Sequence, residues 1–294
     1  GTEEGTVMVK DINEGSGDSY PSYLKYLNGN VYFNAYTSDY GYELWKSDGT
    51  VSGTILIKDI EPGTNSSNPY YLNIYNNNIY FAASDGTYGS ELWKTDGTEE
   101  GTVMVKDIYP GGNGSCFSNG FIVYNGYLYF TANDGTHGRE LWKTDGTEEG
   151  TVMVKDINLS SGSCIYYFTI YNNQLFFAAN DGDYGRELWK TDGTEEGTTM
   201  VKDINTGSDD SYPENLAVVD GYLYFSAHDA TYGRELWKSD GTADGTVKVA
   251  DIRKAVKIQT LNILPNSKEL FFLKPQTIFT VKRFFTSQKM KILN

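Results

Sequence analysis

Four loops of this chain carry an acidic residue near each end: SDGTYGSE, NDGTHGRE, NDGDYGRE and HDATYGRE. Asp85, Asp134, Asp181 and Asp229 each stand six residues before a Glu, with backbone carbonyls between. Such oxygens can ligate Ca²⁺, although the alternating acids of an EF-hand loop are missing. An Asp that folds back on its own backbone as an Asx-turn explains the recurrence without metal. No cofactor is therefore expected, with Ca²⁺ as the alternative. Arg139, Arg186 and Arg234 precede the Glu in three units. Converging arginines would clamp a carboxylate, but equivalent positions on successive repeats diverge, so local pairing with acids is expected. The only histidines, His137 and His228, stand at different repeat positions. There is no nucleophile elbow, Walker loop or HExxH motif. No residue is assigned a catalytic role, and the chain is read as a non-enzyme.

A second set has the chemistry of ligand stacking. Tyr20, Tyr70, Phe117, Tyr166 and Tyr212 lie at similar offsets in variable segments such as NEGSGDSYPS, EPGTNSSNPY and NTGSDDSYPE. Aromatic rings at one end of a repeated scaffold, beside Ser and Asp, suit a sugar ring or a peptide. The competing expectation is that each ring anchors the entry into the next unit. Cys116 and Cys164 hold matching places in adjacent segments, and equivalent Cα atoms on neighbouring units usually exceed the roughly 7 Å reach of a disulfide.

Those side chains are carried by a repeat. Glu-Leu-Trp-Lys occurs five times, with Trp45, Trp93, Trp142, Trp189 and Trp237 spaced 48, 49, 47 and 48 residues apart. Asp-Gly-Thr follows each time, and an Asp-Ile pair closes each unit. Residues 1–12, 97–108 and 146–157 all read GTEEGTVMVKDI. This period fits a four-stranded propeller blade. Within 205–252, Asn215–Val219, Tyr222–Ala227, Glu235–Ser239 and Thr246–Ile252 read as strands A to D. Asp220-Gly221 is a two-residue hairpin signal, and the other units use Asn28-Gly29, Asn76-Asn77, Asn125-Gly126 and Asn172-Asn173. All are pairs that tolerate the positive φ a tight hairpin needs. No segment has helical periodicity with caps. In a meander of this kind the D–A connectors and B–C loops share one face. The A–B and C–D turns share the other. The Trp on strand C is expected to fill the gap between blades.

The expected fold is an all-β propeller of six four-stranded blades in a single domain, 1–294. Blades would span 13–60, 61–108, 109–157, 158–204 and 205–252, with a sixth from 253–294 plus 1–12. In that sixth blade Thr6–Ile12 would pair with about Thr277–Phe285 and close the ring. Five blades with a loose tail is the alternative. The tail is compositionally distinct, with nine Lys or Arg against one acid and no Gly, Tyr, Trp or Asp.

The repeated ELWKTDGTEEGTVMVKDI, preceded by LYFTANDGTHGRE, resembles the bacterial ELWxxDGT-repeat family over about residues 1–252. Departures are Thr37, where other units have Asp, and the tail, which lacks the motif. The resemblance implies a secreted or surface-attached propeller more than it implies a reaction. Composition adds exclusions: the net charge of −15 disfavours unaided binding to nucleic acid or anionic lipid. No run of about 18 apolar residues is present to cross a membrane. The expected function is an extracellular or cell-surface binding, adhesion or scaffold module, a monomer whose ligand is a glycan or surface protein. A propeller glycoside hydrolase or lyase, and a spacer within a longer surface protein, are the alternatives.

Overall fold

The computed structural model describes residues 1–115 and 118–250, and the backbone of 260–262, 270–274 and 277–281. The described residues form strands and turns, without a helix. The first sheet is β1 (Ser22–Leu27), β2 (Asn30–Thr37), β3 (Gly41–Ser47) and β4 (Ile55–Lys58). The second is β5 (Tyr70–Tyr75), β6 (Asn78–Ser84), β7 (Ser90–Thr95) and β8 (Val103–Lys106). The third is β9 (Ser118–Tyr124), β10 (Tyr127–Asn133), β11 (Arg139–Thr144) and β12 (Val152–Lys155). The fourth is β13 (Tyr166–Tyr171), β14 (Gln174–Asn180), β15 (Arg186–Thr191) and β16 (Thr199–Lys202). The fifth is β17 (Glu214–Val219), β18 (Tyr222–Asp229), β19 (Gly233–Ser239) and β20 (Val247–Ala250). Each is an antiparallel meander paired in chain order. The protein is all-β and built from repeated four-stranded blades, as its period implies.

The chain divides into two compact units, Gly1–Asp156 and Ile157–Asn294. In the first, β1 packs beside β5 and β5 beside β9; in the second, β13 packs beside β17. Blades therefore approach most closely at their first strands and splay towards their fourth. The five hairpin pairs hold both residues at positive φ, for example Asn76 at 46° and Asn77 at 59°. That conformation matches the twist of the strands it joins.

Apolar faces of neighbouring blades meet. Tyr80, Leu92 and Ile108 of the second blade pack with Leu128, Phe130 and Trp142 of the third. Leu44 and Ile60 of the first meet Phe81 and Trp93 of the second. In the other unit, Leu188 and Ile204 meet Phe225 and Trp237. All five Trp side chains are 6–8% exposed, so they belong to the core. Lysines then lace blade to blade: Lys46 Nζ donates to Gly97 O at 2.7 Å, and Lys190 Nζ to Gly241 O at 2.9 Å.

The Asp-Gly-Thr motif is a turn device. Asp145 Oδ1 accepts the Thr147 N–H at 2.9 Å and its Oγ1–H at 2.7 Å. Thr147 Oγ1 in turn accepts the Gly150 N–H at 2.9 Å. The Asp48, Asp96 and Asp240 carboxylates are held below their ordinary pKa by the same bonds from Thr50, Thr98 and Thr242. A Cβ at Gly150 would fall 2.1 Å from Asp145 Oδ1, which is why glycine recurs there.

The ends depart from expectation. β21 (Thr260–Asn262), β22 (Leu270–Lys274) and β23 (Thr277–Val281) form a three-stranded sheet in chain order. Its hairpin and third strand lie close to where the sequence places them. Among the described residues this sheet has no fourth strand: residues 1–21 contain no strand, so Thr6–Ile12 is not paired with Thr277–Val281, and the rest of the expected partner, 282–285, lies outside the described residues. The expected closure is corrected on this point. The segment keeps the turn and the side-chain anchors of a fourth strand, and it lacks the backbone ladder.

Candidate functional site

The Glu of Glu-Leu-Trp-Lys is a buried fastener for the D–A connectors. Glu43 is 0% exposed. It accepts the N–H of Ile60 at 3.2 Å, the N–H of Ser67 at 2.9 Å and the Ser67 hydroxyl at 2.6 Å. Glu91 binds Ile108 N and the Ser115 hydroxyl in the same way, and Glu187 binds Ile204 N and the Ser211 hydroxyl. Burial pushes all three carboxyls up to about 7, against the lowering effect of these donors. Both ends of each connector are thus tied to strand C, and the residues between them are free to vary.

The B–C loops lie beside those connectors. Asp85 Oδ1 accepts the N–H groups of Thr87 at 2.8 Å and Tyr88 at 2.9 Å. Asp134, Asp181 and Asp229 repeat the arrangement. These are the expected Asx-turns. Among the described residues no group of three or more His, Cys, Asp or Glu is placed to hold a metal ion. His137 stands where other units have Tyr. Its Nδ1 lies 2.7 Å from Asp134 Oδ2, and this bond raises the imidazole pKa.

The four described candidate aromatics do not all occupy equivalent positions in their units. Tyr20 and Tyr212 sit in the connectors at φ 45° and 48°, and Asn68 and Cys164 share that left-handed place. Tyr70 and Tyr166 instead open strands β5 and β13. Phe117 lies outside the described residues, as does Cys116; Cys164 is a free thiol. Tyr20 is 59% exposed and Tyr212 41%, which is not the burial of an anchoring ring.

Two of the five are brought together in the second unit. The Arg186 guanidinium lies 5.0 Å from the ring centre of Tyr166 and 5.1 Å from that of Tyr212. This stacking replaces the expected pairing of Arg186 with an acid. Arg234 does find its acid, Glu214 Oε2 at 3.1 Å, and also donates to Tyr212 O and Ser226 Oγ. Beside them opens a cavity of about 470 Å³ lined by Tyr212, Arg234, Asp209, Asp210, His228, Asn205 and Ser208. Asp210 Oδ1 accepts the Arg186 N–H at 2.5 Å and Asn180 Nδ2–H at 3.2 Å. The Tyr212 hydroxyl pKa is raised by its hydrogen bond to Asp210 and by that carboxylate's charge.

His228 and Asn205 were not legible as site residues. The signal was a break in repeat symmetry. The His228 N–H bonds Ser211 O at 2.7 Å, as Tyr36 bonds Ser19, Ser84 bonds Ser67 and Asn180 bonds Ser163. One structural place thus holds Tyr, Ser, Asn or His, and the imidazole falls where the cavity opens.

Fold and site together define a repeat protein of four-stranded blades with a polar, tyrosine-flanked cavity between a connector and a B–C loop. No protein-family model matches the chain, and no curated protein matches its sequence. Among solved structures it is similar to a puromycin hydrolase, at 13% identity and a TM-score of 0.44, over 80% of this chain and 39% of that one. It is also similar to prolyl oligopeptidase B from Galerina marginata, at 13% identity and TM-score 0.48, over 78% of this chain and 37% of that one. TolB from Acinetobacter baumannii matches at 10% identity and TM-score 0.41, over 74% and 51% respectively. The chain spans about two-fifths to half of the length of these structures.

Proposed function

We propose that the repeats are blades of a secreted or cell-surface β-propeller of the ELWxxDGT-repeat type, with the C-terminal sheet as a sixth blade. Its role is non-enzymatic binding, and its ligand is a glycan. One observation carries the reading: the cavity of about 470 Å³ has a half-exposed tyrosine at its wall and Asp209, Asp210, Asn205 and His228 around it. An aromatic face suits the C–H face of a pyranose, and carboxylate and amide groups suit its hydroxyls. Small-ligand sites use a few convergent polar groups to fix orientation, and this open cavity supplies such groups beside one aromatic ring. A glycosidase needs two carboxyl groups across the scissile bond. Here the two acids are sequence neighbours on one connector, and Asp210 is already engaged by Arg186 and Asn180. That arrangement favours binding over hydrolysis.

A glycan array on the purified chain, followed by titration calorimetry of the best ligand, tests the proposal. We expect Tyr212→Ala to weaken that ligand at least tenfold, with the melting temperature of the parent chain retained. No glycan bound, or a ligand indifferent to Tyr212→Ala and Asp210→Asn alike, would overturn it.

A further inference from the structure

One place in the repeat, immediately before the buried Glu, holds Tyr42, Ser90, Arg139, Arg186 and Arg234 in turn. The residue there usually finds a partner within the protein. Tyr42 lies against the Tyr36 ring, with centres 5.1 Å apart, and Ser90 Oγ meets the Tyr70 hydroxyl at 3.0 Å. Arg234 is committed to Glu214 Oε2, Tyr212 O and Ser226 Oγ. Arg186 differs. Among the described residues its guanidinium makes no hydrogen bond and no ion pair. Its Nε is buried without an acceptor, and the residue as a whole is half-buried, so its outer nitrogens reach solvent.

Two rings hold this side chain in place of an acid. The guanidinium carbon lies 5.0 Å from the centre of Tyr166 and 5.1 Å from that of Tyr212. Stacking engages the faces of the guanidinium and leaves its in-plane donors unused. It also fixes the plane of a long side chain, so less rotamer freedom is lost when a ligand is captured. A planar fork of donors with permanent charge matches a carboxylate. Tyr212 belongs both to this stack and to the cavity wall, which sets the fork at the edge of the cavity. The neighbouring acids have other work. Glu214 serves Arg234, and Asp210 accepts the Arg186 N–H, Asn180 and the Tyr212 hydroxyl. Asp209 lines the cavity with no cation paired to it among the described residues, so it is the charge an anion would meet.

We infer that Arg186 is a carboxylate-binding residue and that the glycan of this cavity ends in a uronic acid. The inference rests on the glycan reading given above. The ligand's carboxylate accepts hydrogen bonds from the outer nitrogens of Arg186, and its sugar ring lies beside Tyr212. Tyr166 and Tyr212 are positioning residues for the guanidinium. The net charge of −15 opposes a polyanion, so the ligand carries one terminal carboxylate rather than one on every residue.

Arrayed oligosaccharides printed in pairs, alike except for glucose or glucuronic acid, galactose or galacturonic acid, at the non-reducing end, test this on the full chain. In at least one pair the acid-ended member should bind more tightly by about tenfold or more, the worth of a hydrogen bond between charged groups. That preference should shrink as sodium chloride is added. Arg186→Gln should erase the difference within the pair with the melting temperature retained. Asp209→Asn, which removes the opposing charge, should tighten the acid-ended member and leave the neutral one unchanged. Equal binding within every pair would overturn the inference and leave the glycan reading standing. Binding of no oligosaccharide would overturn both. Tetra-alanine with a free C-terminal carboxylate, binding as tightly as the acid-ended sugar, would overturn the assignment to a sugar acid.

Discussion

Glu43, Glu91 and Glu187 are held inside the protein at positions where most folds place apolar groups, and each fastens a D–A connector. Burial raises their carboxyls to about 7, against about 4.3 in an unfolded chain. Between those values the folded state binds more protons than the unfolded one, so stability falls as pH rises through that window. The Asp48, Asp96, Asp145 and Asp240 turns act in the other direction. Their carboxyls are lowered, so their contribution is present above about 3.9 and is lost as pH falls through the folded values. Calorimetric melts should give a higher transition temperature at about pH 5.5 than at pH 8, with a steep loss below pH 4. A Glu91→Gln variant should flatten part of the slope between pH 5 and 8. An unchanged slope would mean that Glu91 does not take up the proton.

At the scale of strands and turns, two repeated devices do different work. Trp142 joins the third blade to Tyr80, Leu92 and Ile108 of the second. Trp142→Ala should cost about 3–5 kcal/mol, the range for truncating a buried large aromatic. Denaturant unfolding would measure that loss, and unchanged stability would remove the Trp from the core. The Asp-Gly-Thr turn is solvent-exposed, so its hydrogen bonds compete with water. Asp145→Ala should cost only about 1 kcal/mol, the net worth of an ordinary intramolecular hydrogen bond. Both devices were legible in the sequence because each depends on contacts repeated every 47–49 residues. The buried Glu of the same motif was not read as a fastener. Its partners lie 17–24 residues away, in connectors whose sequences vary.

Over the whole molecule, the acidic loops have a sufficient structural explanation in their Asx-turns. EDTA should therefore leave the melting temperature unchanged. A drop reversed by added Ca²⁺ would assign a metal to Asp85, Asp134, Asp181 or Asp229. The N-terminal segment shows where local sequence stops being informative. Its twelve residues equal two internal fourth strands, and they adopt the same turn and side-chain anchors. Among the described residues they form no ladder, because a strand needs a partner whose presence no local pattern can guarantee.

The sequence by itself determined the all-β class, the period, the hairpin turns and the fate of the tryptophans. Each of these rests on alternation, on positive-φ residue pairs or on short-range bonds repeated unit by unit. Only the tertiary structure decided which aromatics come together. Tyr166 and Tyr212 meet through Arg186, whereas Tyr70, the counterpart of Tyr166, meets Ser90 at the position that Arg186 holds. It also decided that His228 and Asn205 border the same cavity, because connector and loop are brought together by blade packing across 23 residues of chain. Offsets along a variable loop do not measure position. The chain there is held at its two ends by the buried glutamate, and what lies between is placed by the blades on either side.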